Sequence, residues 1–378
     1  MDNIAKAIQN LLEINLGIKK NERILIFTDL ISTKELDKIT HKEFVRRKSL
    51  QKIAWKVYEI AKDYGKASYL EYEELKYHGC EPPKELWEVA FGKSIYNAIE
   101  EKGFFAKIIN KTKDKRIINY VENIVKRYRK EVVEVIIGLA NYSTSHTKFR
   151  DLLVNFAETR FASMPLFEPE MLFTSLNINW ESLEKETLRL SNLLSNTKEM
   201  IVTSPNGTFL RLNTKDRKVF SDTGILNKPG SFGNLPAGEV YLAPNEGLTE
   251  GKLVIEWAPT FKLKSPIELI IKKGEVVDIQ GKDKYKRFLN EKFHSEYNSS
   301  KVAELGIGTN EKATKIDNII ESEKIKGTIH IAFGDNSAFG GRIKANFHQD
   351  YIIFNPTLKA TFLDGKEQII VENGKTLY

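Results

Sequence analysis

The sequence predicts an α/β fold combined with an α+β fold. We expect an N-terminal domain with a mostly parallel sheet and a C-terminal domain that is rich in strands. Helix and strand patterns alternate over the first half of the chain, whereas short strands separated by turn sequences fill the second half. A length of 378 residues is enough for two such domains, which we predict at 1–180 and 181–378.

In the N-terminal half, short apolar runs alternate with amphipathic stretches. The apolar runs predict strands at 23–29, 67–74 and 132–141. The stretches between and around them predict helices at 3–16, 46–64, 84–101 and 116–130. Such alternation is typical of parallel strands that are connected by helical crossovers.

The C-terminal half begins with a predicted helix at 181–197, where Leu183, Leu190 and Leu194 share a face. After it, short strands such as KLVIEW and YIIF are separated by turns such as NG, NEG and DGK. One more helix is predicted at 282–294. This pattern favours an antiparallel, strand-rich domain.

Composition limits the partners and the compartment. The net charge is +7, but the basic residues form short separate runs among 51 acidic residues, so we predict no nucleic-acid partner. No stretch reaches the roughly 18 apolar residues of a membrane helix, so we predict no membrane partner. The single cysteine, Cys80, excludes an intrachain disulfide and favours a cytoplasmic location.

Residues 303–350 contain the side chains that best predict chemistry. His330 and His348 are two of only six histidines, Asp350 follows the second histidine by two positions, and Glu304 lies upstream in an apolar segment. Imidazoles and carboxylates are the ligands of catalytic divalent metals. On a strand, His348 and Asp350 share a face, so both can reach one ion. The glycine-rich stretch 334–341 allows the tight turns that bring these pieces together.

Glu239 is a further candidate ligand, because a loop rich in Gly and Pro at 230–238 leads into its strand. Each residue also has a structural interpretation when it is taken alone. Glu239 suits an exposed hairpin, Glu304 an outward-facing strand position, and His330 a hydrogen-bonded core histidine. The occurrence of all five in one strand-rich half favours a metal site.

Several segments together resemble the thermophilic metalloaminopeptidases of the aminopeptidase T and S type. They are NLPAGEV, AELGIGTN, GTIHIAFGDN and the late His-x-Asp, together with SHTKFRD and RFASMP. The resemblance implies a homodimer that removes N-terminal residues from peptides. It also implies two divalent ions (Zn, Co, Mn or Mg) held by Glu239, Glu304, His330, His348 and Asp350, with Glu304 or Glu239 in a catalytic role.

One position departs from that pattern. The peptidases have a tyrosine seven residues after the first ligand histidine, where this chain has Ser337. The GDN…GG segment also resembles 2,5-dihydroxypyridine dioxygenases, which hold a single Fe(II) with two histidines and an aspartate. His330, His348 and Asp350 match that triad. We therefore expect a two-metal aminopeptidase, with a mononuclear Fe(II) ring-cleaving dioxygenase as the alternative.

Overall fold

The structure is a computed structural model that describes residues 3–75 and 77–378. The helices are α1 (Asn3–Asn10), α2 (His41–Ala61), α3 (Lys84–Phe91), α4 (Lys93–Glu101), α5 (Phe105–Ile109), α6 (Lys115–Arg127), α7 (Lys148–Ala157), α8 (Trp180–Leu194), α9 (Tyr285–Ser295) and α10 (Ile319–Ser322).

The strands of the first half and the middle of the chain are β1 (Arg23–Leu30), β2 (Lys66–Glu73), β3 (Val135–Gly138), β4 (Arg160–Ser163), β5 (Thr197–Thr203), β6 (Phe209–Asn213), β7 (Val219–Asp222), β8 (Phe232–Asn234) and β9 (Glu239–Leu242). The remaining strands are β10 (Glu250–Ala258), β11 (Phe261–Lys272), β12 (Glu275–Gly281), β13 (Val302–Gly308), β14 (Ile329–Gly334), β15 (His348–Ile353), β16 (Thr357–Phe362), β17 (Glu367–Glu372) and β18 (Lys375–Thr376).

By their internal contacts the residues divide into two compact units. The first is Met1–Asn177 with Gly224–Pro236, and the second is Ile178–Thr223 with Ala237–Tyr378. The segment 224–236 belongs to the first unit because it supplies β8 to the sheet of that unit. The boundary between residues 180 and 181 stays a prediction.

The first unit is built on a five-stranded parallel sheet in the order β2-β1-β3-β4-β8. The central strands β1 and β3 are buried along almost their whole length. Their side chains Leu25, Phe27 and Ile136 pack in one core with Trp87 of α3 and Phe149 of α7. Helices therefore cover the sheet, as continuous apolar strands require.

Two helices differ from the sequence predictions for local reasons. α2 begins at His41, earlier than predicted, because the Thr40 hydroxyl accepts a hydrogen bond from the backbone N–H of Glu43. The single helix predicted at 84–101 is two helices. Gly92 between them has φ +81°, a conformation that interrupts an α-helix.

The second unit contains two antiparallel sheets. One has eight strands in the order β12-β11-β10-β6-β5-β16-β17-β18, and the other has five in the order β15-β14-β13-β9-β7. Val202 and Leu212 of the larger sheet share one hydrophobic core with Leu242, Ile307 and Ile331 of the smaller one. The two sheets thus pack face to face. The predicted combination of a parallel N-terminal sheet and a strand-rich C-terminal half is confirmed.

Within the described part of the chain, no helix has both the length and the apolar character that crossing a bilayer demands. The cytoplasmic location stays a prediction.

Candidate metal centre

The smaller antiparallel sheet has one apolar face and one polar face, which carries ionisable side chains. Leu305, Ile331 and Tyr351 lie side by side on β13, β14 and β15 and belong to the hydrophobic core. Glu304 and Asp350 lie one position away, opposite the same residue of β14. Because successive side chains of a strand point to opposite faces, both carboxylates lie on the side away from the core.

The other predicted ligands fall on this same face. His330 pairs with Gly306, which lies two residues after Glu304 on β13. Glu239 pairs with Gly308, and His348 lies two residues before the aspartate of β15. The structure therefore brings all five predicted residues together on four adjacent strands. Their role as ligands stays a proposal.

The side-chain atoms converge to distances that suit shared coordination. Nε2 of His330 lies 3.4 Å from Oε1 of Glu304 and 3.5 Å from Oε2 of Glu239. Nε2 of His348 lies 3.5 Å from Oε2 of Glu304 and 3.6 Å from Oδ1 of Asp350. One ligand atom from each of Glu304, His330 and Asp350 fits within 4.8 Å of the other two. Atoms at metal-bonding distances of about 2.0–2.2 Å from one ion are separated by comparable lengths.

A glycine on β13 makes room for the first histidine. A Cβ atom at Gly306 would lie 2.0 Å from Nε2 of His330, far inside van der Waals contact. The imidazole therefore lies directly over the strand at a position where any larger residue would displace it. His330 is 1% exposed, so its imidazole is enclosed by protein.

The second histidine is oriented by the glycine-rich loop. Nδ1 of His348 donates a hydrogen bond of 2.7 Å to the backbone carbonyl of Asp335. This contact makes Nδ1 the donor to the main chain and leaves Nε2 facing the carboxylates. Nε2 can bind a metal when its proton is displaced, and such a second contact at Nδ1 is typical of metal-bound histidines. The loop itself is tied by Asn336, whose Oδ1 accepts the N–H of Ile343 at 2.8 Å.

Ser337, which stands where the peptidases have a tyrosine, takes no part in this cluster. Its side chain is exposed, and its hydroxyl donates to Oδ1 of Asp335 at 2.9 Å. At this position the chain therefore has no phenol group, and the side chain that it has lies outside the cluster.

The protonation states reflect burial opposed by nearby charges. Burial alone lowers the pKa of both histidines, but the hydrogen bond to Glu304 and the charges of Glu239 and Asp350 raise the pKa of His330 to about 9. Asp350 and Glu304 raise the pKa of His348 to about 10. Burial raises the pKa of Asp350, yet the charge of His348 outweighs it and brings the value to about 2.

A buried lysine beside the centre was missed at the sequence level. Nζ of Lys324 lies 2.5 Å from Oε1 of Glu239, 2.9 Å from Glu323 and 3.7 Å from Asp222. Its side chain has no exposure at all. Nothing in the segment ESEKIKG distinguishes this lysine from Lys326, whose side chain is 30% exposed.

Aromatic rings form a second feature of the polar face that sequence reasoning missed. Tyr241 pairs with Gly306 across β9 and β13, and its ring stacks on Phe220 with centroids 5.5 Å apart. Phe339 contacts Tyr241 edge-on at 5.6 Å and His348 at 6.0 Å. The metal-type ligands are thus bordered by rings that suit a planar, apolar body.

The family follows from comparison with known proteins. Residues 154–377 match the family model of 2,5-dihydroxypyridine 5,6-dioxygenase, named NicX, and the chain belongs to this family. A search of curated proteins finds no match.

Two solved structures share the fold over the entire chain. The 2,5-dihydroxypyridine dioxygenase from Pseudomonas putida KT2440 has a TM-score of 0.68 at 16% identity, with 98% of its chain covered. Wild-type AmpT from Thermus thermophilus has a TM-score of 0.56 at 14% identity, with 99% of its chain covered.

These findings correct the predicted function. The aminopeptidase activity, and with it the classification as hydrolase and protease, is wrong, because the matching family is one of oxygenases. The expected pair of metal ions is not supported either. The broader prediction of metal dependence is supported, because the family uses a metal and the structure contains a group of side chains that could hold one. The error arose because histidines and carboxylates serve hydrolases and oxygenases alike.

We predict that Gly306→Ala disables the centre without unfolding the protein. The added methyl group would displace the His330 imidazole, so metal affinity falls by about tenfold to a hundredfold. Calorimetric titration with Mn²⁺ measures this. Gly365→Ala is the control, because a Cβ there meets no atom within 4 Å although φ is +88°. That variant should lose stability and keep its metal affinity. Equal affinity in Gly306→Ala and the native protein would contradict the geometry.

We also predict that metal affinity rises with pH. Without metal, His330 and His348 keep their protons to about pH 9 and pH 10, and an ion must displace both protons. Below about pH 9 the apparent affinity should therefore increase by up to about a hundredfold per pH unit. Mn²⁺ titrations between about pH 6 and about pH 8 measure the slope. Affinity that does not change over this range would show that neither histidine is a ligand.

Proposed function

We propose that the protein is a mononuclear iron(II) dioxygenase that opens dihydroxylated aromatic rings. The observation that carries this proposal is the match of residues 154–377 to the dioxygenase family, since that range includes all five residues of the metal centre. The relative from Pseudomonas putida KT2440, which shares the fold, is itself named for 2,5-dihydroxypyridine. A dihydroxylated pyridine is therefore the first substrate to test.

The side chains fit such an ion. We assign His330, His348 and Asp350 as its ligands, because two imidazoles and one carboxylate form the facial triad of non-haem Fe(II) oxygenases. The contact with the Asp335 carbonyl makes Nε2 the ligating atom of His348. Oε2 of Glu239 is buried and makes no hydrogen bond among the described residues. A buried oxygen without a partner is unfavourable, and a neighbouring cation would stabilise it.

When bound, Fe(II) supplies the redox chemistry by which dioxygen reacts with an aromatic ring. Glu304 acts beside it as a proton acceptor. Its carboxylate lies between the two histidines, at 3.4 and 3.5 Å, and is 6% exposed. A ring hydroxyl that enters the centre can transfer its proton to an oxygen of Glu304, and the low exposure keeps water from competing.

The aromatic rings of Phe220, Tyr241 and Phe339 hold the substrate. Their stacked and edge-on contacts make a rigid border on the same sheet face as the ligands. A flat ring packs against such a border with little loss of side-chain entropy. The rings orient the substrate, and the hydroxyl groups direct it towards the metal ligands.

We predict oxygen consumption by the iron-loaded protein. Protein purified without oxygen and loaded with Fe(II) should consume one O₂ for each molecule of 2,5-dihydroxypyridine, measured with an oxygen electrode and by loss of ring absorbance. Asp350→Asn should lower the rate by about a hundredfold or more, because the triad loses its anionic ligand.

Asp364→Asn is the matched control, since Asp364 lies in the exposed turn between β16 and β17. It should keep full activity. Failure of the iron-loaded protein to consume oxygen with any dihydroxylated pyridine or benzene would refute the proposed function.

We predict that Phe339→Ala weakens substrate binding more than it slows the reaction. Loss of one edge-on ring contact corresponds to about 1 kcal/mol, or a roughly fivefold rise in KM. Steady-state kinetics measure KM and kcat separately. The control is Phe209→Ala on β6, where the ring is half exposed. An unchanged KM in Phe339→Ala would remove this ring from the substrate site.

A further inference from the structure

Lys324 is a fully buried cation that the proposed chemistry does not use. Its ammonium group contacts Glu239 at 2.5 Å and Glu323 at 2.9 Å, and lies 3.7 Å from Asp222. Each of these carboxylates is at most 12% exposed. A lysine that is withdrawn completely from water is rare and requires such compensation.

The backbone holds this lysine firmly in place. The carbonyl of Lys324 accepts the N–H of Asn310 at 2.9 Å, and its own N–H donates to the Glu321 carbonyl at 3.0 Å. The next residue approaches β13 so closely that a Cβ at Gly308 would lie 2.1 Å from the carbonyl oxygen of Ile325. Main-chain contacts on both sides therefore fix the backbone from which the Lys324 side chain extends, and the carboxylates around Nζ hold its ammonium group.

Glu239 links the lysine to the metal centre. Its Oε1 accepts from Lys324, and its Oε2 lies 3.5 Å from Nε2 of His330. On the sheet, Asp222 pairs with Glu239 on the adjacent strand, so two carboxylates of the polar face meet the same ammonium group. Glu239 thus stands between two cation positions, one next to the histidines and one occupied by the lysine.

We propose that Lys324 takes the place of a second metal ion and thereby limits the centre to one. This inference rests on the proposed metal centre. A metal bound to Oε1 of Glu239 would lie about 2.0–2.2 Å from that oxygen, where it would collide with Nζ. The like charges of the two cations would add repulsion to the collision.

The negative charges on the polar face explain why a second metal ion has to be excluded. Asp222, Glu239, Glu304, Glu323 and Asp350 converge on the polar face, and a divalent ion neutralises only two of them. A cluster this acidic attracts a second divalent ion unless another cation is built in. The covalently attached ammonium supplies that cation permanently and leaves one exchangeable ion for oxygen chemistry.

The test is the number of ions per chain in Lys324→Met, which keeps the length of the side chain and removes its charge. Purified protein is saturated with Mn²⁺, which needs no oxygen or substrate, and bound metal is counted by mass spectrometry and calorimetric titration. We expect one ion in the native protein and two in Lys324→Met. The double variant Lys324→Met with Glu239→Gln should return to one ion, because the second site loses its carboxylate.

Lys326→Met is the matched control. Lys326 lies in the same segment, but its ammonium pairs with Glu186 at 2.6 Å and its side chain is 30% exposed. This variant should bind one ion. Two tightly bound ions in the native protein, or a single ion in Lys324→Met, would overturn the inference.

Lys324→Met leaves three buried carboxylates without the ammonium group that they contact, so the metal-free form of this variant is expected to be less stable than the native protein. If it does not fold alone, it is refolded with Mn²⁺, and recovery of folded protein with two ions supports the inference. Failure to recover at any Mn²⁺ concentration overturns it. These results are independent of catalysis. Native protein that lacks oxygenase activity would refute the proposed function, and the ion counts would still decide the role of Lys324.

Discussion

Compensation of buried negative charge is the constraint on which this centre depends. The inner face of the small antiparallel sheet is sealed in the hydrophobic core, so its polar side chains all collect on the other face. Several carboxylates meet there with little exposure to water. Leaving one such charge unpaired costs about 3–5 kcal/mol. Lys324 supplies part of the positive charge that this face requires. The protons of the two histidines supply the rest in the metal-free protein, and the proposed metal ion would take their place.

Rigid elements of the fold hold these charged side chains in place. Neighbouring antiparallel strands fix the spacing of Glu304, His330 and Asp350 by their hydrogen-bond register. Small residues let larger groups approach: Gly306 lies under the His330 ring, and Gly308 admits the chain that delivers Lys324. Because side chains on strands move less than side chains on loops, these three groups are held close together without any ion.

Sequence reasoning predicted the fold class correctly. It named the five ligand candidates from their joint occurrence and from a family resemblance, because each of them alone also had a structural interpretation. A carboxylate inside an apolar strand is costly unless it is paired or bound to a metal, which made Glu304 a candidate. The burial of Lys324 had no such signal, since it depends on the register of β13 and on a close approach at Gly308. Strand β8 was missed for a similar reason: three residues in a Gly-rich loop become a strand only by pairing with β4. The predicted reaction type was wrong because histidines and carboxylates do not by themselves specify how many metal ions they hold.

A crystal structure of the iron-loaded protein with anomalous diffraction at the iron edge tests the central claim most directly. The account predicts one iron peak between His330, His348 and Asp350, with the ammonium of Lys324 still paired to Glu239. Two metal peaks bridged by Glu304, or a single peak in contact with Glu239 in place of Lys324, would contradict it.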